Sequence, residues 1–199
     1  MRLCVIGPSR FPISEPFAGG LEAHTHALIT ALKRRGHQVT LFAAPGSDPS
    51  LGVEFLDVAD FSMSETARRD VGAMPAEWMR EHHAYLSLMV GLARNSSDRF
   101  DAVLNVSIHH LPVAMSGLLD VPVVTTLHTP PVGWIESAVR VDGSASTFVA
   151  VSSHMREAWS DSIDCSVILN GVDTERLRPG DGGGPAFWSG RIVPEKGLE

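Results

Sequence analysis

The chain has 199 residues, of which 44% are hydrophobic and 20% are charged. These proportions are typical of a soluble globular protein with one domain and a short extra segment, and they exclude a disordered chain. The net charge of −7 argues against a general nucleic-acid binder, whose phosphate contacts need a basic surface.

Cysteine usage and the absence of long apolar runs bear on the compartment. We predict that Cys4 and Cys165 are reduced core residues rather than a disulfide, because Cys4 lies in an apolar strand. Pro8 and Arg10 interrupt the first apolar run too early for a signal peptide. No apolar segment reaches the roughly 20 residues that a membrane span needs. We therefore expect a cytoplasmic protein, and its acidic balance gives no support for peripheral membrane contact.

Short apolar runs alternate with amphipathic segments along the chain. The apolar runs predict strands at 3–7, 39–43, 53–56, 102–106, 121–127, 148–151 and 166–169. The amphipathic segments predict helices at 20–35, 75–94, 111–119 and 152–159, and an irregular excursion with some helix at 59–73. Gly36 is expected to end the first of these helices, and Ser152 or Ser153 to cap the last.

The strands show no polar alternation, which favours a parallel sheet covered on both faces. We therefore predict an α/β fold with a doubly wound, Rossmann-like parallel sheet, and ligands bound beyond the carboxyl ends of its strands. Residues 1–175 are expected to form this domain. Residues 176–184, with Pro179 and several glycines, are expected to be a linker, and 185–199 the start of a second domain.

A pair of glycines, Gly19 and Gly20, stands at the start of the first long helix. A helix start presents free N–H groups and the positive end of a dipole, so it suits an anion. A dinucleotide-binding domain would instead need G-x-G-x-x-G after the first strand and an acidic residue after the second. Neither is present, and we exclude NAD binding on both counts.

Polar residues at strand ends and near the glycine pair are candidates for a cleft. His128 follows the strand at 121–127, where a role in ligand binding and a role in loop packing are equally compatible with its position. Asn105 and His109 follow the strand at 102–106 and are candidate acceptor contacts. Glu22 and His24, in the first turns of the helix after the glycines, are candidates for the same role.

Spacing in the sequence indicates no metal and no protein nucleophile. His24 and His26 point in different directions on a helix, and His82 and His83 are adjacent, so neither pair suits a metal. No H-E-x-x-H or G-x-S-x-G pattern occurs. The carboxylates of Glu22, Glu136 and Asp142 have no spacing that singles out a catalytic pair.

Three motifs occur in an order that resembles the retaining, two-domain GT-B glycosyltransferases of family 4. They are Phe-Ala-Gly-Gly-Leu-Glu at 17–22, Thr-Leu-His-Thr-Pro at 126–130 and Ser-Gly-Arg-Ile-Val-Pro-Glu-Lys-Gly at 189–197. The resemblance implies that His128 bonds to the donor sugar at the reaction centre. It also implies that Gly19 and Gly20 lie against the donor phosphates, and that Arg191 and Lys196 grip the donor pyrophosphate.

The same resemblance implies a reaction and its partners. A nucleotide-diphosphate sugar would be the donor, and a hydroxyl group on a small molecule, a glycan or a lipid-linked molecule the acceptor, with no metal and no other cofactor. The chain would be the acceptor-side domain, inactive without its own C-terminal domain as partner. Two alternatives stay open: a non-catalytic ligand-binding or regulatory module, and a nucleotide-sugar epimerase of the same architecture.

Overall fold

A computed structural model describes residues 1–56, 61–141 and 145–185 as a parallel sheet with helices on both faces. The seven strands lie in the order β3-β2-β1-β4-β5-β6-β7, and every neighbouring pair is parallel. They are β1 (Arg2–Ile6), β2 (Gln38–Ala43), β3 (Val53–Phe55), β4 (Ala102–Asn105), β5 (Val123–Leu127), β6 (Ser146–Ala150) and β7 (Ser166–Val167). The predicted doubly wound α/β fold is confirmed.

In the described part of the chain, six α-helices connect the strands, with two single 3-10 turns at Pro49–Leu51 and Ser116–Leu118. The helices are α1 (Gly20–Arg34), α2 (Glu65–Arg68), α3 (Ala76–Arg99), α4 (Leu111–Ala114), α5 (Gly133–Val139) and α6 (Ser153–Trp159). Within the described residues, no helix is both long enough and apolar enough to cross a membrane.

Alternate residues of the central strand β1 pack on opposite faces of the sheet. Cys4 belongs to the core cluster that includes Tyr85 and Met89 of α3. Val5 belongs to a second cluster that includes Ile29 of α1. The long helices α1 and α3 therefore cover opposite faces, and this explains why the strand sequences are apolar on both sides.

Local signals in the sequence predicted two helix boundaries correctly. Gly36 follows α1 with a φ of 83°, a left-handed conformation that glycine adopts at little cost. The hydroxyl of Ser152 accepts a hydrogen bond from the Met155 N–H at 3.1 Å and caps α6. Both predicted boundaries are confirmed.

Other helices differ from the predicted ones in length or were not predicted at all. α3 continues to Arg99 instead of ending near residue 94, across a non-helical Asn95. The helix predicted at 111–119 divides into α4 and a 3-10 turn. α5 was not predicted, because its seven residues are too few for a clear helical period. The excursion at 59–73 contains α2, and residues 57–60 lie outside the described part.

The strand order creates a crevice at the carboxyl ends of β1 and β4. The chain leaves β1 for β2 on one side and later returns to β4 on the other side, so the connections diverge between these strands. Ligands bind doubly wound sheets at such a switch point. The loops that follow β1 and β4 therefore form the walls of the candidate site.

Candidate functional site

A cavity of about 440 Å³ lies at this crevice. We call it the switch-point cavity. It is lined by the loop after β1, the start of α1, the first three turns of α3, the loop after β4 and the start of α5. Its lining residues are Pro8, Ser9, Arg10, Phe11, Leu21, Glu22, Trp78, Glu81, Tyr85, Ile108, His109, His110, Val132 and Trp134. Two of the predicted acceptor contacts, Glu22 and His109, are therefore on its wall.

The glycine pair forms the start of α1, as predicted. Gly19 is the residue before the first helical turn, and no side chain caps the helix there. A Cβ atom on Gly19 would lie 3.0 Å from Oε2 of Glu22, whereas one on Gly20 would meet nothing within 4 Å. Gly19 thus allows the buried Glu22 carboxylate to fold back over the helix start. Donor binding by Gly19 and Gly20 stays a prediction.

His24 and His128 are brought into contact. Their ring centroids are 4.9 Å apart in an edge-to-face arrangement. Burial, and secondarily the neighbouring His24, lowers the pKa of His128 to about 4, and burial also lowers the pKa of His24. Nε2 of His128 is buried and has no hydrogen-bond partner among the described residues. A neutral imidazole with a free ring nitrogen suits a hydrogen bond to a ligand hydroxyl.

Asn105 requires a correction, because its side chain lies inside the sheet instead of in the cavity. It is fully buried, and its amide donates to the Thr125 hydroxyl at 3.3 Å. Its Oδ1 accepts hydrogen bonds from the N–H and the hydroxyl of Ser107 at 3.1 and 2.7 Å. Asn105 therefore joins β4 to β5 and shapes the loop that carries His109, and it is not placed to contact an acceptor directly.

His109 is held by its neighbours in one orientation. Its ring stacks on Tyr85 with centroids 4.3 Å apart, and its Nδ1 accepts the Leu111 N–H at 3.2 Å. Burial lowers the pKa of His109 to about 3, with smaller contributions from His110 and His82. Because Nδ1 is an acceptor in this neutral ring, the proton resides on Nε2, which is then a hydrogen-bond donor.

Sequence reasoning missed two polar contacts that fix the walls of the switch-point cavity. The Ser9 hydroxyl donates to Oε1 of Glu81 at 2.5 Å, and the Tyr85 hydroxyl donates to the Gly7 carbonyl at 2.8 Å. Both contacts tie α3 to the loop after β1, about 70 to 80 residues earlier in the sequence. The amphipathic pattern at 75–94 predicted the helix but not these contacts.

Three histidines lie closer together than the sequence suggested. Ring nitrogens of His82, His109 and His110 fall within 4.8 Å of one another. No local motif signals this cluster, because α3 and the loop after β4 supply its members. The Leu111 N–H occupies Nδ1 of His109, so its other nitrogen carries a proton in place of a lone pair. The rings also stack instead of converging edge-on, with His109 and His110 centroids 4.4 Å apart. We therefore attribute the close approach of these three histidines to stacking of their rings.

The remaining predicted residues lie apart from the cavity or outside the described part of the chain. Arg191, Lys196 and Asp142 are outside the described part of the chain. Glu136 lies on α5, where its carboxylate accepts a hydrogen bond from Ser162 at 3.4 Å. Residues 168–185 form neither helix nor strand. Surface ion pairs from Asp173 to Arg34 and from Arg176 to Glu15 attach this segment to the domain.

Comparison with known proteins identifies the family. The model of Glycosyltransferase Family 4 matches residues 18–176. The chain belongs to glycosyltransferase family 4. Glycogen synthases from two Mycobacterium tuberculosis strains, CDC 1551 / Oshkosh and ATCC 25618 / H37Rv, are each 31% identical to it over 183 residues. Each match covers 81% of this chain and 42% of the relative, so the chain spans less than half the length of these relatives.

The family match contains most of the predicted site. Gly19, Gly20, Glu22, His24, Asn105, His109 and His128 all fall within the matched residues. The match ends at residue 176, where the predicted linker begins. The boundary itself and the roles of Arg191 and Lys196 stay predictions.

Proposed function

We propose that this chain is the acceptor-side domain of a retaining, metal-independent glycosyltransferase. A sugar would pass from a nucleotide-diphosphate donor to a hydroxyl group of the acceptor. The observation that carries the proposal is the match to family 4 over the domain that contains the switch-point cavity and His128. The glycogen synthase relatives make glycogen the first acceptor to test.

In this proposal, catalysis relies on positioning and charge stabilisation. Donor and acceptor are held on one face, and the leaving phosphate helps to deprotonate the acceptor hydroxyl. His128, neutral and with a free ring nitrogen, hydrogen-bonds a hydroxyl of the transferred sugar. Arg191 and Lys196 stabilise the negative charge that grows on the leaving diphosphate.

Donor binding tests the division of labour between domains. UDP-, GDP- and ADP-sugars are titrated calorimetrically into the 199-residue chain and into a protein in which the chain continues into a complete second domain. We expect one donor to bind, and only to the longer protein. Equal binding to the 199-residue chain would support a ligand-binding module instead, and binding of no donor to either protein would contradict the proposal.

The motif at 189–197 has its own prediction. Arg191→Ala or Lys196→Ala in the longer protein is expected to weaken donor binding about 10- to 100-fold, since each loses a charge-assisted hydrogen bond. Arg178→Ala, at an exposed position before the motif, is the control. Unchanged donor affinity in both motif variants would rule out the assigned role.

A further inference from the structure

Aromatic rings from three separate elements meet at the switch-point cavity. His110, from the loop after β4, stacks on Trp134 of α5 with centroids 5.1 Å apart. Trp134 meets Trp78 of α3 at 5.8 Å, tilted by 43°. We call Trp78, His110 and Trp134 the aromatic platform. Its rings are supported from α3, because Trp78 stacks on His82 at 5.3 Å and His82 stacks on His110 at 5.6 Å.

Trp134 of the platform is exposed, and Trp78 and His110 are half-buried, whereas packed core residues would be covered. The Trp134 side chain is 58% exposed, although its ring is held between two neighbours. Three more exposed apolar side chains, Phe11, Ile108 and Val132, line the same cavity. Exposed apolar surface gathered around one concave site indicates ligand binding rather than chance exposure.

Polar groups beside the platform determine what kind of ligand fits. The carboxylates of Glu22 and Glu81 line the cavity together with the guanidinium of Arg10. Glu22 is buried, and Glu81 is fixed by the Ser9 hydroxyl. Carboxylates beside an aromatic face match a sugar ring, whose hydroxyls donate hydrogen bonds while its C–H face stacks on the aromatic ring.

The charge of the cavity disfavours anions. Two carboxylates face one guanidinium among the lining residues. His109 and His110 supply no positive charge at neutral pH, because burial lowers the pKa of both and their histidine neighbours lower it further. A phosphate or carboxylate on the ligand would therefore meet a site with excess negative charge.

We infer that the switch-point cavity binds the acceptor, and that this acceptor is an uncharged sugar residue stacked on Trp78 and Trp134 with its hydroxyls directed to Glu22 and Glu81. The inference rests on the proposed glycosyltransferase function and adds the substrate class to it. The carboxylates of Glu22 and Glu81 beside the aromatic platform then select neutral glycans over phosphorylated or acidic acceptors.

Binding of matched small sugars to the 199-residue chain, without donor, tests this selection. Saturation-transfer NMR and titration would compare methyl glucoside and maltotriose with glucose 6-phosphate, glucuronate and octyl glucoside. We expect both neutral sugars to bind, the two anionic probes to bind at least about tenfold more weakly, and the octyl chain to add little. Tighter binding of an anionic probe, binding that requires the octyl chain, or no binding of neutral sugars would overturn the inference.

Variants of the aromatic platform test the stacking of the sugar, and a variant of a cavity carboxylate tests the selection against anions. Trp134→Ala should weaken maltotriose binding about five- to tenfold and Trp134→Phe less, since stacking is lost in one and reduced in the other. Phe55→Ala, which removes an exposed aromatic ring outside the cavity, is the matched control. Glu81→Gln should reduce the discrimination against glucose 6-phosphate. Unchanged binding in Trp134→Ala, or unchanged discrimination in Glu81→Gln, would contradict the assigned contacts.

Two experimental outcomes distinguish failure of this inference from failure of the proposed function. If neutral sugars bind through Trp134 but the longer protein binds no donor, the platform stands and the transferase proposal fails. If the longer protein transfers sugar only to phosphorylated or carboxylated acceptors, the transferase proposal stands and the inference fails.

Discussion

His128 is the residue on which chain position, burial and family membership converge. It follows β5 directly, its Nε2 has no partner among the described residues, and burial keeps its pKa near 4. A histidine in this state acts at neutral pH through hydrogen bonding, not through positive charge. The proposed function accordingly leaves charge stabilisation of the donor to Arg191 and Lys196, whose roles stay predictions.

The depressed pKa of His128 predicts acid destabilisation. Below about pH 6.5 the unfolded chain takes up a proton at this residue, whereas the folded chain does so only near pH 4. The unfolded state binds more protons in this window. The free energy of unfolding should therefore decrease as the pH is lowered, by up to about 1.4 kcal/mol per pH unit from this side chain.

Urea unfolding between pH 7 and pH 5 measures this effect. His128→Gln should reduce the pH slope by close to one proton, and His154→Gln, at an exposed position, is the control. The same slope in His128→Gln and in the wild-type chain would contradict the buried neutral state.

At the scale of elements, long regular segments were predictable and short ones were not. α1 and most of α3 show a helical period over several turns, and each strand from β1 to β6 is an apolar run. α5 has only seven residues, and its place is determined by Ile135 and Ala138 packing in the cluster around Trp159. Trp134 reaches the cavity only because α5 forms, so the aromatic platform was not predictable from the sequence.

One glycine within α3 and another just after α1 predict opposite effects of the same substitution to alanine. Gly91→Ala, at an exposed position within α3 with open space around the new Cβ atom, should raise the free energy of unfolding by about 0.5–1 kcal/mol. Gly36→Ala, where φ is 83° after α1, should lower it by about 1–2 kcal/mol.

Chemical denaturation of both variants checks this contrast, with each glycine substitution as the control for the other. Stability changes of the same sign would show that the conformation at one of these positions differs from the structure.

At the scale of the whole molecule, stability should decrease from the centre of the sheet to its edge. β1 lies between β2 and β4 with core on both faces, whereas β7 is a two-residue edge strand. Both cysteines are free and buried, as predicted, one at each location: Cys4 in β1 and Cys165 just before β7. Burial raises the pKa of both thiols and makes them unreactive in the folded state.

Alkylation of the two thiols reports this gradient. With iodoacetamide in low urea, Cys165 should react faster than Cys4, because edge elements open locally while the central strand is exposed only by global unfolding. Peptide mass spectrometry measures both rates, and the fully unfolded chain, where the rates should be similar, is the control. Faster reaction of Cys4 would contradict a central position for β1.

The sequence by itself determined the fold class, most strands, the start of α1 and the family, because each depends on local pattern or on short motifs. The tertiary structure decided which side chains meet. Asn105 proved to be internal because Thr125 and Ser107 take up its hydrogen bonds. Trp78, His110 and Trp134 come from three elements distant in sequence, and no local pattern encodes their contact. Packing at the edge of the sheet brings these three residues together. It thereby forms the surface to which we assign the acceptor.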